Sequence, residues 1–599
     1  MKTSLLCFSI LILAGSGASA KGSSNLSKSV TPKVVDALAT ELERAKTRLV
    51  IPGAPSPYFI SYKVTEVDVS DVSASLGSTL DEKQRHFVGL EAHVHVGGYD
   101  KDNSNFIAPG KEHIDGIATT SLPLEASANR ARRAAWLVTD AAYKEALEQY
   151  QSKSDAMATG VGQREVAASY SSAAPLVQGK EVGVTPLEDQ SVLENKAKKL
   201  SALFAKQDHI RDSRVSYTSF IERRWYLNSE GTSATDTRRV SGVVVVASSL
   251  ASDGEELKLY YSKYGHEIND LPAFGVLSKK VDEMSGQLKT MQSSPRGEAY
   301  TGPVLFEGMG AVQLISNTLS PHLSGTPPPV GTSGKEALHF AGKLSGRKGL
   351  KVMSSLLTLE DDPTIRTFGK TPLIGGYLFD DEGVRSDKVR VVQKGRLENL
   401  LMSRTPNGSQ LLSNGHARLS MRGGVFRGST TNLFVNSSKG LSKSKLRKKL
   451  LSEAKAQGLD YGVVVKLMDD PFITASRELT RVELVQILNT VNRTAPPPML
   501  LVYKLYKNGK EELMRGMGLD TIELRAWKDL VATGKNRFTA NFLSSTEDPL
   551  LQRLAGVGPG FVPSGGVESS ITTPDLLFKE LDMVPVQMGR LPQPKISRP

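Results

Sequence analysis

Apolar and polar residues change rhythm several times along the chain. From Val34 to Leu49 the apolar positions recur at helical spacing, and PGAPSPYF (52–59) interrupts them. FISYKVTEVDVSDVSASLG (59–77) and QRHFVGLEAHVHVGGYDKDN (84–103) alternate apolar with polar residues. Successive side chains of a strand point to opposite faces, so these two runs predict an antiparallel hairpin or meander. Residues 125–155 are rich in Ala, Leu, Glu and Lys and predict the clearest helix of the chain. The stretch from there to about 185 lacks periodicity and reads as a loop, and LEDQSVLENKAKKLSALFAK (187–206) is helical again. Strands dominate from about 213 to 265, with Asp253-Gly254 in a hairpin turn.

SGQLKTMQSSPRGEAYTGP (285–303) marks a boundary, after which the texture becomes glycine-rich and β-like. GPVLFEGMGAVQL (302–314) reads as the start of a helix, with Gly302 and Pro303 breaking what comes before. LSKSKLRKKLLSEAKAQG (441–458) predicts an amphipathic helix with Leu446, Leu450 and Leu451 on one face and Gly458 at its end. Asn508-Gly509 predicts a type I′ hairpin turn inside LLVYKLYKNGKEELMRG (500–516). No period of 20–50 residues signals a solenoid. The expected fold class is α+β: an N-terminal antiparallel sheet with helices, followed by a β-rich C-terminal domain. The expected segments are a signal peptide (1–20), a leader and first helix (21–52), a first N-terminal segment (53–125), a middle α+β segment (126–295), the β-rich domain (300–585) and a tail (586–599).

Composition narrows the classes. A chain of 599 residues with 39% hydrophobic and 23% charged residues can build several ordinary cores. A net charge of +12 is mild over this length, and aromatics at 6% disfavour a base-stacking surface. The basic run KSKLRKK (443–449) reads as a solvated helix face rather than a nucleic-acid or lipid patch. MKTSLLCFSILILAGSGASA has Lys2, an apolar stretch from Leu5 to Ala14 and small residues at Ala18-Ser19-Ala20. That pattern predicts a secretory signal cut after Ala20 and a periplasmic or secreted protein. The apolar stretch is too short to span a bilayer, and no later segment is long and apolar enough to be a transmembrane helix. The only cysteine, Cys7, lies in the signal. The expected mature chain therefore has no thiol for a disulfide, a nucleophile or a zinc ion.

Candidate chemistry is sparse. G-x-S-x-G, Walker A and a strand–helix G-x-G-x-x-G are all absent. His416 in SNGHAR lies near serines, which does not by itself make a hydrolase. His93 and His95 in AHVHVGG project to one face at strand spacing, where they would share a metal if a third ligand came from elsewhere; the simpler reading is polar surface on an exposed strand. Asp380, Asp381 and Glu382 in LFDDEGV offer oxygens to a hard cation, although a loop between strands needs none.

One comparison goes further. FEGMGA (306–311) matches the pattern H-E-G-x-G-H with both histidines replaced. RRWYLNSEGT (223–232), GGYLFDDEGV (375–384), KGRLENLLMSRTPNG (394–408), SNGHARL (413–419) and GLDYGVVV (458–465) occur in order around it. Together they resemble the TldD/PmbA family of metallopeptidases, also called the modulator-of-DNA-gyrase family, over roughly residues 55–585. The resemblance implies an N-terminal α+β part, a β-rich C-terminal domain, and dimers, often of one active and one inactive subunit, around a cavity that admits unfolded peptide. It also implies zinc held by the two histidines of H-E-x-x-x-H and a cysteine near the C-terminus, with the Glu acting on zinc-bound water. Carried onto this chain, the first zinc position falls on Phe306, the catalytic Glu on Glu307 and the second zinc position on Ala311; the cysteine has no counterpart. The glycines beside Glu307 suit a turn that distorts toward a metal.

A Glu without a metal has no acidified water to deprotonate. The expectation is therefore a protein without zinc or other cofactor, in which Glu307 is a remnant. It would serve as a non-catalytic peptidase subunit or peptide-binding pseudoenzyme. The implied partners are unfolded or extended peptide and a second subunit, as a homodimer or a heterodimer with a related chain, with no nucleic acid. Two alternatives stand beside it. One is an active peptidase with a relocated metal, at His93 and His95 with His113 or at Glu307 with His322. The other is a structural envelope protein.

Overall fold

The computed structural model describes residues 30–108, 116–123, 125–159, 168–178, 185–332, 342–419, 425–474, 496–520, 522–544 and 567–586. The signal-like N-terminus with Cys7, His113 and the tail QPKISRP lie outside the described residues.

Helix α1 (Pro32–Arg48) starts with Pro near its first position, where the missing N–H is not needed. It buries Val34, Leu38, Leu42 and Ala45 at helical spacing. Strands β1 (Pro57–Ser75) and β2 (Ser78–Val96) form one long hairpin. Its turn uses Leu76 and Gly77, both at positive φ (50° and 88°). The hairpin lies in a seven-stranded sheet with β3 (Ile117–Leu122), the short β4 (Val177–Gln178), β5 (Asp212–Asn228), β6 (Ser233–Leu250) and β7 (Glu256–Gly265). All pairings are antiparallel except β4 with β6.

The two faces of this sheet differ in kind. On one, Tyr62, Val64, Leu90, Ala92, Val94 and Trp225 pack against α1 and α2 (Ala128–Ala158). The register brings Lys63, Glu91, His93, His95, Glu222, Arg224, Asp236 and Arg238 to the other. Helices α3 (Gln190–Ser201) and α4 (Phe274–Ser293) close a second core, with Leu193, Leu200, Leu277, Val281 and Leu288. Helix α4 runs through residues 285–293, which the sequence reading assigns to the boundary. Its apolar stripe Leu277, Val281, Met284, Leu288, Met291 continues at helical spacing to the end. The break therefore falls after Ser293.

The C-terminal part is built on a twelve-stranded sheet. Its hub is the strand Val567–Pro585, which pairs with Leu530–Ser544, Asn432–Ser437, Met517–Leu519 and β8 (Tyr300–Phe306). Here the structure corrects the sequence reading, because Gly302–Phe306 is strand and the helix, α5 (Met309–Thr318), begins only afterwards. Pro303 fits because it falls at a bulge: the ladder to the hub strand jumps from Val304↔Phe578 to Gly302↔Leu581, leaving Pro303 without a partner. The hairpin at Asn508-Gly509 forms, but its turn is not type I′: Gly509 has positive φ (84°) and Asn508 does not, and the Gly509 N–H donates to the Tyr506 carbonyl (2.9 Å). The helix Lys443–Ala456 forms as expected, burying Leu446, Leu450 and Ala454. The α+β class with a β-rich C-terminal part stands.

Candidate functional site

The chain turns from β8 into α5 at Phe306–Ala311. Phe306 and Ala311 are fully buried in the C-terminal core, and the Phe306 ring meets Phe578 edge-on at 5.9 Å. Glu307 is also buried, and its N–H donates to the Val465 carbonyl (2.9 Å). Its carboxylate takes Arg447 from the 443–456 helix on both oxygens, at 2.8 Å from Nε and 3.0 Å from Nη2. Lys443 approaches at 3.4 Å, and the Arg447 fork also reaches Glu511, which Lys466 holds at 2.7 Å. Hydrogen bonding to Glu307 raises the Arg447 pKa further. The glycines have local reasons. Gly308 takes φ 54° and donates its N–H to Asp575 (2.9 Å), while a Cβ on Gly310 would stand 2.6 Å from the Val465 carbonyl oxygen. Their presence thus needs no metal, contrary to the expectation from the resemblance.

A second cluster lies between the polar face of the N-terminal sheet and the loops of the C-terminal part. His93 and His95 are buried there, 8% and 0% exposed, so the reading of polar surface is wrong. Alternation along β2 gave their common face; it did not reveal that the face is covered. The two rings lie 4.4 Å apart by centroid. His95 Nδ1 sits 2.6 Å from Asp102, which also accepts from Tyr58 (2.7 Å) and from the Ser104 hydroxyl and N–H. Burial opposes ionisation of Asp102, but the hydrogen bond and charge of His95, with Lys153, hold its pKa down at about 2. Burial first, then His95, depresses His93 well below the ordinary histidine value.

These residues line a cavity with Ser104, Asn105, Tyr170, Glu382, Thr405, Val425 and Phe426. It leaves about 20 Å³ for the centre of a water-sized sphere, on the order of one small polar group. Glu382 accepts the Arg404 N–H at 2.6 Å, and burial, then the neighbouring Asp380, push its pKa up. Arg404 stacks over Tyr170 and Phe59 and is held by Glu230 (2.6 Å) and the Ser171 carbonyl (2.8 Å). Sequence reasoning missed Asp102, Tyr170 and Arg404. The spacing of Asp102 seven residues after His95 carries no local signature, because the turn at 97–101 brings it back.

The other acidic candidates are structural. Asp380 accepts backbone N–H groups from Glu382, Val384 and Ala417, and Asp381 takes Arg224 (3.0 Å), Arg418 (3.4 Å) and the Leu419 N–H. Burial drives the Asp380 pKa up; the arginines and Lys63 overcome burial at Asp381 and drive it down. His416 is fixed between the Asn414 carbonyl (2.9 Å) and Asp361 (3.2 Å), not at a serine. His322 is depressed to about 4 by burial, then by the charges of Lys343 and Arg427. Both oxygens of Glu307 are engaged by Arg447 rather than by His322.

Residues 299–469 match the PmbA/TldA metallopeptidase C-terminal domain. Over these residues the chain is similar to the PmbA/TldD family. A protein named metalloprotease from Methanothermobacter thermautotrophicus is 27% identical over 208 residues, 33% of this chain and 40% of that one. Another of that name from Archaeoglobus fulgidus is 43% identical over 67 residues, 11% and 14% of the two chains. The chain therefore spans less than half the length of either relative. In fold it is similar to TldE from Thermococcus kodakarensis, with TM-score 0.58 at 12% identity over 92% of this chain and all of that one. It is also similar to a putative modulator of DNA gyrase from Thermotoga maritima, with TM-score 0.57 at 13% identity over 92% and 99%.

The PmbA/TldD pattern maps onto both places. Zinc does not fit at the first: Phe306 and Ala311 present a ring and a methyl to an apolar core, and Glu307 is already paired. Among the described residues no group of three or more His, Cys, Asp or Glu side chains is arranged to hold a metal. Four of the five quoted segments surround the second place, through Arg224 and Glu230, Asp380–Glu382, Arg404, and His416 with Arg418.

Proposed function

We propose that this chain is a non-catalytic PmbA/TldD protein, exported from the cytoplasm, that binds unfolded or extended peptide alone or as the silent subunit beside a related, zinc-bearing chain. The observation that carries this is the two-point pairing of Glu307 with Arg447 where the family pattern has its catalytic base. A carboxylate held by a guanidinium on both oxygens is a poor proton acceptor, since its charge is already satisfied. Peptide binding needs no such group, because main-chain bonding to a sheet edge supplies affinity without chemistry.

The test is a pair of assays on the full mature chain. Binding of a fluorescently labelled unfolded protein is followed by anisotropy, and its cleavage by gel, each with and without a chelator. Binding that ignores the chelator, with no cleavage, is the expected result. Cleavage abolished by the chelator would instead support an active peptidase with a relocated metal. Absence of binding, both to unfolded protein and to a co-expressed family member, would leave a structural role.

A further inference from the structure

We propose that the outer edge of strand β2, at Glu82 and Gln84, is where this chain holds an extended peptide, as an added strand. The inference deepens the peptide-binding reading above and rests on it.

Strand β1 pairs with β2 along its whole length, from Ser78 to Val96. On the other edge β3 covers only Val88–His93; it ends at Leu122, Pro123 follows, and the chain turns away to α2. The aim of the main-chain groups on this edge follows from the far end of the ladder. The Val94 N–H donates to the Gly116 carbonyl (2.9 Å) and the Val94 carbonyl accepts from Asn103 (3.2 Å), both on the side away from β1. Ile60, opposite Val94, likewise turns its N–H and carbonyl away from β2, to Ser229 (3.0 and 2.8 Å). In an antiparallel ladder such pairs alternate with hydrogen-bonded ones. The register runs unbroken from Phe59↔His95 to Ser73↔Asp81, so Glu82 and Gln84 also aim their N–H and C=O groups outward. Both residues are exposed, and among the described residues no backbone group pairs with them on that side. Outward groups repeating every second residue form half of a ladder that another extended main chain completes.

The charges along the edge decide between occupants. A second copy, pairing antiparallel about a two-fold axis centred on Glu82, would set Glu82 against Glu82. Centring on Lys83 or on Arg85 sets that residue against itself, and centring on Gln84 sets Lys83 against Arg85. Like charges directly opposite destabilise a strand pair, so this edge is guarded against its own copy. Asp81 and Glu82 balance Lys83 and Arg85, so a foreign segment without strong charge meets no such opposition. Phe87 and Leu80, 44% and 54% exposed at the two ends of the stretch, offer its side chains apolar surface. The occupant is an extended segment of another polypeptide.

The test uses the full mature chain and fluorescein-labelled casein, a natively unfolded protein, in anisotropy titrations. Gln84→Pro removes the outward N–H at an edge position where the ring breaks no bond to β1. Its circular-dichroism spectrum should match wild type while its affinity for casein falls about tenfold. Gln84→Ala keeps the N–H and should bind within about twofold of wild type. Hydrogen–deuterium exchange on the wild-type chain gives a readout that needs no variant: saturating casein should slow the amides of Glu82 and Gln84, which exchange fast in the free protein. Equal affinity of a folded Gln84→Pro and wild type, or unchanged exchange at both amides in the casein complex, overturns the edge site and leaves peptide binding elsewhere on the molecule. Absence of casein binding by wild type overturns the peptide-binding reading and the edge site with it. Light scattering settles the remaining case: a dimer of the free chain that Gln84→Pro dissociates would put a second copy on the edge and overturn the assignment.

Discussion

At the scale of single residues, Glu307 stands where the family pattern has its Glu and has a structural task in this fold. It anchors the 443–456 helix through Arg447. Glu307→Gln should therefore destabilise the protein by ~1–3 kcal/mol, because it leaves a half-buried guanidinium short of its counter-charge. Denaturant titration checks this, and peptide binding by the folded variant should be unchanged. Gly310→Ala should also destabilise, by ~1–3 kcal/mol, since its Cβ would press on the rigid Val465 backbone 2.6 Å away. That Phe306 and Ala311 cannot ligate zinc is legible in the sequence, because neither side chain carries a lone pair in any conformation. The burial of His93 and His95 was not legible: strand alternation tells which residues share a face, never what lies over it.

Among the elements, those with strong local rhythm were readable. The long β1–β2 hairpin, helix α2 and the presence of a hairpin at Asn508-Gly509 follow directly from alternation, helix propensity and turn residues, whereas the type of that turn did not, since only Gly509 takes positive φ. Helix α4 and strand β8 were misread at their ends, each for a physical reason. Polar residues on the solvent face of α4 look like a linker, and Gly302-Pro303 look like a break when the pairing that accommodates them, a bulge against the hub strand, is made by residues almost 280 positions away. The 443–456 helix was read correctly in its apolar stripe. Its basic face was read as merely solvated, whereas Arg447 is the tie to Glu307 and Glu511. Leu450→Ala should cost about 2–5 kcal/mol by opening a cavity under that helix. Thermal unfolding followed by circular dichroism would measure it.

In the whole molecule, the N-terminal and C-terminal parts meet through a layer of buried charge. Arg224 reaches Asp236 (3.2 Å) and Asp381 (3.0 Å), and Arg238 reaches Glu222 (2.5 Å) and Glu568 (2.7 Å). Such pairs contribute little net stability against a hydrophobic replacement, but breaking one leaves an uncompensated charge. Glu382 sits in this layer with a raised pKa, so the folded protein holds a proton that the unfolded chain has released. Stability should therefore fall as pH rises from the ordinary carboxylate range up to about 8. Glu382→Gln removes that contribution, and its stability should gain on wild type across the same window, as denaturant titrations at several pH values would reveal. Asp380, shifted the same way, keeps part of the slope.

The fold is similar to that of TldE, and Phe306 and Ala311 offer no donor where the family pattern has zinc ligands. The most direct measurement is metal content: the mature chain, purified without a histidine tag, assayed for zinc, iron and manganese per protein by elemental mass spectrometry. Metal far below one equivalent, unchanged after incubation with zinc and removal of the excess, is the predicted result. One tightly held metal per chain would contradict it and turn attention to His93 and His95.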